Sequence, residues 1–213
     1  MTECWSFVEK AEYKKATVHA QKALKKFPKD KVVKFNYYSI LADYALSSDS
    51  KRFKKLHAQA VKGMERALKN PGDISPKHLY QLKNEFFFQT KQHKKQYYLG
   101  QSTARKTKEL NPYYSSGVGA AHYALELALK NKKKSAKAWA EKSVVAWKKY
   151  FEIEKKYYNP YVHLALAYGI LGDKRKMMSA LRKSSKLCQK PMSYSEFSWV
   201  QEKVSKIPYF QKE

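Results

Sequence analysis

Residues 159–173 read Asn159-Pro160-Tyr161-Val162-His163-Leu164-Ala165-Leu166-Ala167-Tyr168-Gly169-Ile170-Leu171-Gly172-Asp173. Pro160 suits the opening of a helix, where its missing N–H costs no hydrogen bond. Ala165 is small enough to let a second helix approach closely. Leu164 and Tyr168 are large enough to fill the groove between the two. Gly172 supplies the permissive backbone of a tight interhelix turn. A second helix then follows, carrying Met177, Leu181 and Ser184. The stretch is a helix–turn–helix unit.

The same punctuation recurs towards the N-terminus. Pro28, Pro71, Pro112 and Pro160 each follow a helical stretch, at separations of 43, 41 and 48 residues. A proline just past a helix C-terminus stops it, and each interval has room for two helices. Apolar spacing predicts helices over 3–10, 13–26, 31–46, 51–69, 76–89, 91–110, 112–130, 135–157, 160–171, 174–187 and 193–206. That makes about eleven helices and no strand, an all-α fold. Ser47-Ser48-Asp49-Ser50 reads as a turn and N-cap cluster, and Ser75-Pro76 as a cap followed by proline at the first helical position.

The order of large aromatic, Leu, small, Tyr and Gly-Asp in Tyr161, Leu164, Ala165, Tyr168, Gly172 and Asp173 resembles a tetratricopeptide repeat (TPR). Met177 stands where that family prefers a small residue, and the middle repeats exceed its period of about 34 residues. The resemblance implies one domain over 1–213, a right-handed solenoid of about five antiparallel TPR-like helix pairs. These would span 3–28, 31–70, 75–111, 112–158 and 160–188, with a C-terminal capping helix over 193–210. The stretch Phe197-x-Trp199 with Ile207-Pro208-Tyr209-Phe210 is similar to the segment that closes such arrays. In the family the first helix of each pair lines a concave ligand groove. Carried over, the groove residues are Asn159, Val162, His163, Leu166 and Gly169. Some members clamp a terminal carboxylate there with Lys and Asn. Val162 and Leu166 occupy those positions here, which implies an apolar groove for a protein or peptide.

Charge sets the second theme. The chain carries 44 Lys+Arg against 18 Asp+Glu, a net charge of +26, and only five of the basic residues are Arg. An aromatic content of 15% excludes a disordered polycation. Such a field attracts anionic partners. Arg is the favoured reader of phosphate and guanine, whereas Lys gives diffuse attraction and solubility. No run of about 18 apolar residues exists, so no membrane-spanning helix is expected. The start, Met1-Thr2-Glu3-Cys4, lacks a basic stretch followed by an apolar one. A soluble, cytoplasmic protein is therefore expected, with the cell envelope or periplasm as the alternative if a leader preceded Met1. Cys4 and Cys188 are expected to be reduced, half-buried thiols, with lipid attachment at Cys4 the other reading.

No catalytic constellation emerges. H-E-x-x-H, G-x-S-x-G and the phosphate-cradling glycine motifs are all missing, and Glu152 and Glu154 lie two apart on a helix, facing different ways. His122 and His163 each fall on the first helix of an expected pair. Gly117-Val118-Gly119 reads as close helix packing. The expectation is a non-enzyme with no cofactor and no metal. Aromatic-basic clusters stand out at Phe86–Phe88, Gln92–Tyr98, Tyr113-Tyr114, Lys148-Lys149-Tyr150-Phe151 and Lys155-Lys156-Tyr157-Tyr158. Rings beside cations stack bases or sugars while Lys holds phosphate, although helix packing consumes such rings too. Two functions follow. One is a scaffold holding an acidic protein or peptide in the concave groove. The alternative is binding of nucleic acid or an anionic polymer, at a cell wall or membrane surface, through Lys-rich faces.

Overall fold

The computed structural model describes residues 12–46, 51–69, 71, 74–107, 109–188 and 194–211. The expected helix at 3–10, Cys4 and the turn at 47–50 lie outside them. Among the described residues there are ten α-helices, one 3-10 turn and no strand. They are α1 (Tyr13–Lys26), α2 (Lys31–Leu46), α3 (Lys51–Lys69), α4 (Pro76–Gln89), α5 (His93–Thr107), α6 (Leu110–Leu129), α7 (Lys133–Ile153), α8 (Asn159–Leu171), α9 (Lys174–Leu187) and α10 (Tyr194–Ser205), then the turn Pro208–Phe210. The protein is all-α. No described helix is long and apolar enough to cross a membrane.

Local chemistry explains the helix ends. Asp30 Oδ1 accepts the Val33 N–H at 2.9 Å, and Asp173 Oδ1 accepts that of Lys176 at 2.9 Å. Ser75 accepts from His78 N–H, with Pro76 at the first helical position. Each side-chain oxygen satisfies one of the orphan donors of a first turn. Gly172 ends α8 at φ +85°, a left-handed conformation that glycine adopts without a side-chain clash. Three boundaries differ from the sequence expectation. Leu110 begins α6 instead of ending α5, so Pro112 lies inside the first turn, where no N–H is needed. α7 starts two residues early, after Asn131 at φ +56°. It ends at Ile153 because Glu154 is extended and Glu154 Oε1 accepts the Lys156 N–H at 2.6 Å, which turns the chain.

The chain divides into two compact units between Gln92 and His93, a point inside the span expected as the third pair. In the first unit α2 packs against α1, α3 and α4. Phe35, Leu41, Ala42, Ala60, Met64 and Leu82 form its core. In the second unit α6 packs against α5, α7 and α8, while α8 also packs against α9 and α10. α6 achieves this with small residues: Ala120, Ala121, Ala124 and Ala128 are all fully buried. Trp147 of α7 is buried completely, and a Cβ added to Gly117 would come within 2.4 Å of its ring. Ser143 Oγ donates to the Gly117 carbonyl at 2.9 Å, satisfying a buried hydroxyl at the same contact. The C-terminal turn also joins this core. Ile207 and Tyr209 are buried with Ala120, Leu166 and Ile170, and Tyr209 O–H donates to the Ile170 carbonyl at 3.3 Å.

Gly119 lies close against the main chain of α5. A Cβ there would come within 2.8 Å of both the His93 carbonyl oxygen and the Tyr97 nitrogen. Backbone cannot rotate aside as a side chain can. Gly119→Ala is therefore expected to destabilise the second unit by about 2 kcal/mol or more, despite alanine's higher helix propensity. Denaturant unfolding followed by tryptophan fluorescence checks this, and an unchanged midpoint would refute it.

Candidate functional site

The five residues expected to line a groove do not form an open surface. Val162 is 5% exposed and packs with Met177, Leu181 and Val200. Leu166 is fully buried among Ala120, Ala124 and Ile207. Gly169 is buried, and a Cβ there would meet Val204 Cγ2 at 2.5 Å and Met177 Sδ at 3.0 Å. These three are covered by α9, α10 and the C-terminal turn, so the chain fills that space itself. Asn159 and His163 are only partly buried. Asn159 Oδ1 accepts the Tyr114 hydroxyl at 3.0 Å.

His163 belongs to a stack that sequence spacing did not suggest. The rings of His93, His122 and His163, from α5, α6 and α8, follow one another at 5.0 and 5.3 Å between centroids. Trp199 sits 5.9 Å from His122, and Trp147 lies parallel to His163 at 6.1 Å and 11°. His163 Nδ1 and Trp147 Nε1 are enclosed with no hydrogen-bond partner. Burial holds the His163 imidazole down at about 4. His122 is also held well below the usual histidine range, by burial first and then by its two histidine neighbours. Both rings are neutral packing groups at neutral pH. Among the described residues no three His, Cys, Asp or Glu side chains are placed to hold a metal ion.

A second missed constellation joins α2 to α4 in the first unit. Gln89 Nε2 donates to Asp43 Oδ1 at 2.5 Å and to Glu85 Oε1 at 2.9 Å, and Ser39 Oγ donates to the same Glu85 oxygen at 3.3 Å. Burial pushes the Asp43 carboxyl up to about 6, against the opposing hydrogen bond from Gln89 and with some help from Glu85. Asp43 and Glu85 are too far apart in sequence for spacing to signal the pair.

The first unit has an open cavity of about 600 Å³ lined by Tyr44, Phe53, Lys51, Arg52 and Lys55 among others, and the second unit gathers tyrosines around another. The start of α6, the end of α7 and the segment leading into α8 enclose a cavity of about 550 Å³, lined by Tyr114, Tyr150, Tyr157, Tyr158, Glu154 and Asn159, among others. Three of the aromatic-basic clusters thus meet in one place. Burial raises the Tyr114 and Tyr150 hydroxyls to about 12, so both stay protonated donors. Lys148, Lys149, Lys155 and Lys156, from the same sequence clusters, are all exposed. Elsewhere rings and cations satisfy each other: Lys142 Nζ lies 4.0 Å from the Trp139 ring centroid, and Lys133 Nζ 5.3 Å from that of Tyr209. Acidic groups are used locally. Glu12, Glu126, Asp173 and Glu202 each pair with a lysine one to four residues away. Cys188 is a half-buried free thiol.

No protein-family model matches the chain, and a search of curated proteins finds no relative.

Two pH responses follow from these groups. The neutral-histidine stack makes the folded second unit bind fewer protons than the unfolded chain below about pH 6.5, so its stability falls as pH drops from there towards 4. His163→Phe removes part of that slope. Between pH 7 and pH 5 the variant should gain roughly 5 °C in melting temperature relative to wild type, read by calorimetry. Asp43 has the opposite sign. Its raised pKa favours the protonated form in the fold, so it costs stability as pH rises through 6. Asp43→Asn should therefore stabilise the first unit by about 1 kcal/mol at pH 7.5 and give little at pH 4. Parallel melts at the two pH values decide this.

Proposed function

We propose that the chain is a non-enzymatic helical-repeat module that binds a polyanion, single-stranded nucleic acid, through exposed lysines supported by tyrosine rings. The single observation behind this reading is the convergence of Tyr114, Tyr150, Tyr157 and Tyr158 on one cavity, in sequence clusters whose lysines remain exposed. A ring platform gives sequence-tolerant stacking, and lysines track the phosphates. The local use of carboxylates by neighbouring lysines leaves most of the +26 surplus available at long range. The TPR resemblance supports a further proposal, that the helices form a right-handed solenoid of about five antiparallel pairs with a closing helix. Packing of consecutive helices within each unit is compatible with it.

The second reading is a scaffold for an acidic protein or peptide. Val145 and Ile153, each 55% exposed on α7 around Lys148 and Lys149, favour it as an amphiphilic patch. Enclosure of Val162, Leu166 and Gly169 moves such a contact away from the groove that the family resemblance implies.

Salt separates the two. Affinity for a fluorescent 20-mer of uridine is expected to fall linearly on a log–log plot between 50 and 300 mM KCl. Replacing Lys148, Lys149, Lys155 and Lys156 together by Gln should reduce the slope by up to about 3. Tight, salt-insensitive capture of a glutamate-rich peptide, with no binding of the 20-mer at about 100 mM salt, would sink the nucleic-acid reading.

A further inference from the structure

The tyrosine cavity carries more than generic stacking, because its polar groups are fixed. Tyr114 O–H donates to Asn159 Oδ1 at 3.0 Å, which leaves the Asn159 amide hydrogens as donors. Glu154 Oε1 accepts the Lys156 backbone N–H at 2.6 Å, so the carboxylate is pinned while its second oxygen remains an acceptor. Tyr157 is 61% exposed, and its ring lies within 8° of parallel to that of Tyr158, with centroids 6.5 Å apart. The cavity therefore combines flat aromatic faces, one fixed carboxylate whose two oxygens keep acceptor sites beyond the Lys156 bond, and one fixed amide donor. Its volume of about 550 Å³ exceeds what a single planar base needs, with room for the attached sugar.

Ligand classes can be ranked on these features. A tyrosine-rich cavity with one carboxylate also suits a quaternary ammonium ion. Lys148, Lys149, Lys155 and Lys156 are exposed in the sequence segments that supply Tyr150, Glu154, Tyr157 and Tyr158, and positive charge there disfavours a cation. A neutral sugar would stack on the rings but would leave those lysines without a role. A base with a phosphate uses both. Among the bases, guanine presents two adjacent N–H donors, N1–H and N2–H, to a carboxylate, and an acceptor, O6, beside them. Adenine presents the opposite order at the matching positions.

We propose that this cavity binds a guanine nucleotide, with the base stacked on Tyr157, its N1–H and N2–H donating to Glu154, its O6 accepting from the Asn159 amide, and its phosphate held by Lys155 or Lys156. The inference rests on the nucleic-acid reading above and names the base that the site selects. The same guanine chemistry is offered by a free nucleotide or by a residue within a single strand.

Calorimetric titration of the full chain with the four nucleoside monophosphates tests it. The pentamers UUGUU and UUAUU, choline and cellobiose are the further probes. GMP should saturate one site and bind at least about tenfold tighter than AMP. Tyr157→Ala should weaken GMP about tenfold or more. Glu154→Gln should bring the GMP/AMP ratio close to one. Melting temperatures of both variants serve as the folding control, since Tyr157 is exposed. Tighter binding of UUGUU than of GMP assigns the site to a strand, and the reverse order to a free nucleotide. Equal affinity for GMP and AMP, an unchanged ratio in Glu154→Gln, or saturation by choline or cellobiose in place of GMP overturns the proposal. Failure of GMP alongside salt-dependent binding of the uridine 20-mer removes the guanine site and leaves the nucleic-acid reading standing. Selective binding of GMP with no binding of any strand does the opposite.

Discussion

The close approach of α6 to its neighbours is the constraint on which the second unit depends. α6 touches α5, α7 and α8, and it does so because Gly117, Gly119 and four buried alanines remove the volume that would hold those helices apart. Small residues contribute little burial each. Their effect is indirect: they allow Trp147 to be enclosed completely and Ser143 to reach the Gly117 carbonyl. A buried tryptophan is worth several kcal/mol relative to a truncated side chain. Dispersion falls off steeply with gap width, so a shift of even 1 Å between α6 and α7 would forfeit much of it. The same approach fixes Tyr114, near the start of α6, against Trp147 and Tyr150 at 5.5 and 6.0 Å between centroids. The cavity geometry is inherited from that contact.

Polar groups in the interior divide the two units by mechanism. In the second, the His122 and His163 imidazoles are held neutral and packed ring to ring, so no charge is buried while the pH stays above their ordinary range. In the first, Asp43 and Glu85 share the Gln89 amide, whose two N–H donors are both spent on them. The raised Asp43 pKa reflects burial first, opposed by the Gln89 hydrogen bond and helped by the nearby Glu85. A chain with +26 net charge nevertheless brings two half-buried carboxylates together in the first unit.

Much of the fold was legible in the sequence because punctuation and periodicity are local. Pro28, Pro160, Gly172 and the Ser75-Pro76 pair mark helix ends by their own backbone chemistry, and the all-α class follows from them. Pro112 marks the α5–α6 boundary only to within three residues, because a first turn tolerates proline at several positions. The site was far less legible. Val162, Leu166 and Gly169 were assigned by analogy to a groove, but burial depends on what covers a face, and residues 200–210 cover this one. The His93–His122–His163 cluster and the Asp43–Gln89 contact join residues 29 to 46 positions apart, which only packing brings together. The aromatic-basic clusters were visible as composition. Their convergence was not.

On the proposed reading, that convergence lets lysine outnumber arginine heavily without making recognition vague. Arginine combines attraction and planar reading in one side chain. Here the two roles sit on different residues. Exposed lysines provide a field that extends about 8–10 Å at physiological salt and carries no sequence information. Tyr157, Glu154 and Asn159 provide flat and directional contacts that act only at van der Waals range. In the proposed complex, attraction would set the rate of encounter and the tyrosine cavity the lifetime. Separating the roles would keep the long-range field independent of the base and confine discrimination to the short turn between α7 and α8. Glu154 ends α7 and takes the Lys156 N–H in that turn, so the residue that shapes the backbone is also the one proposed to read the base.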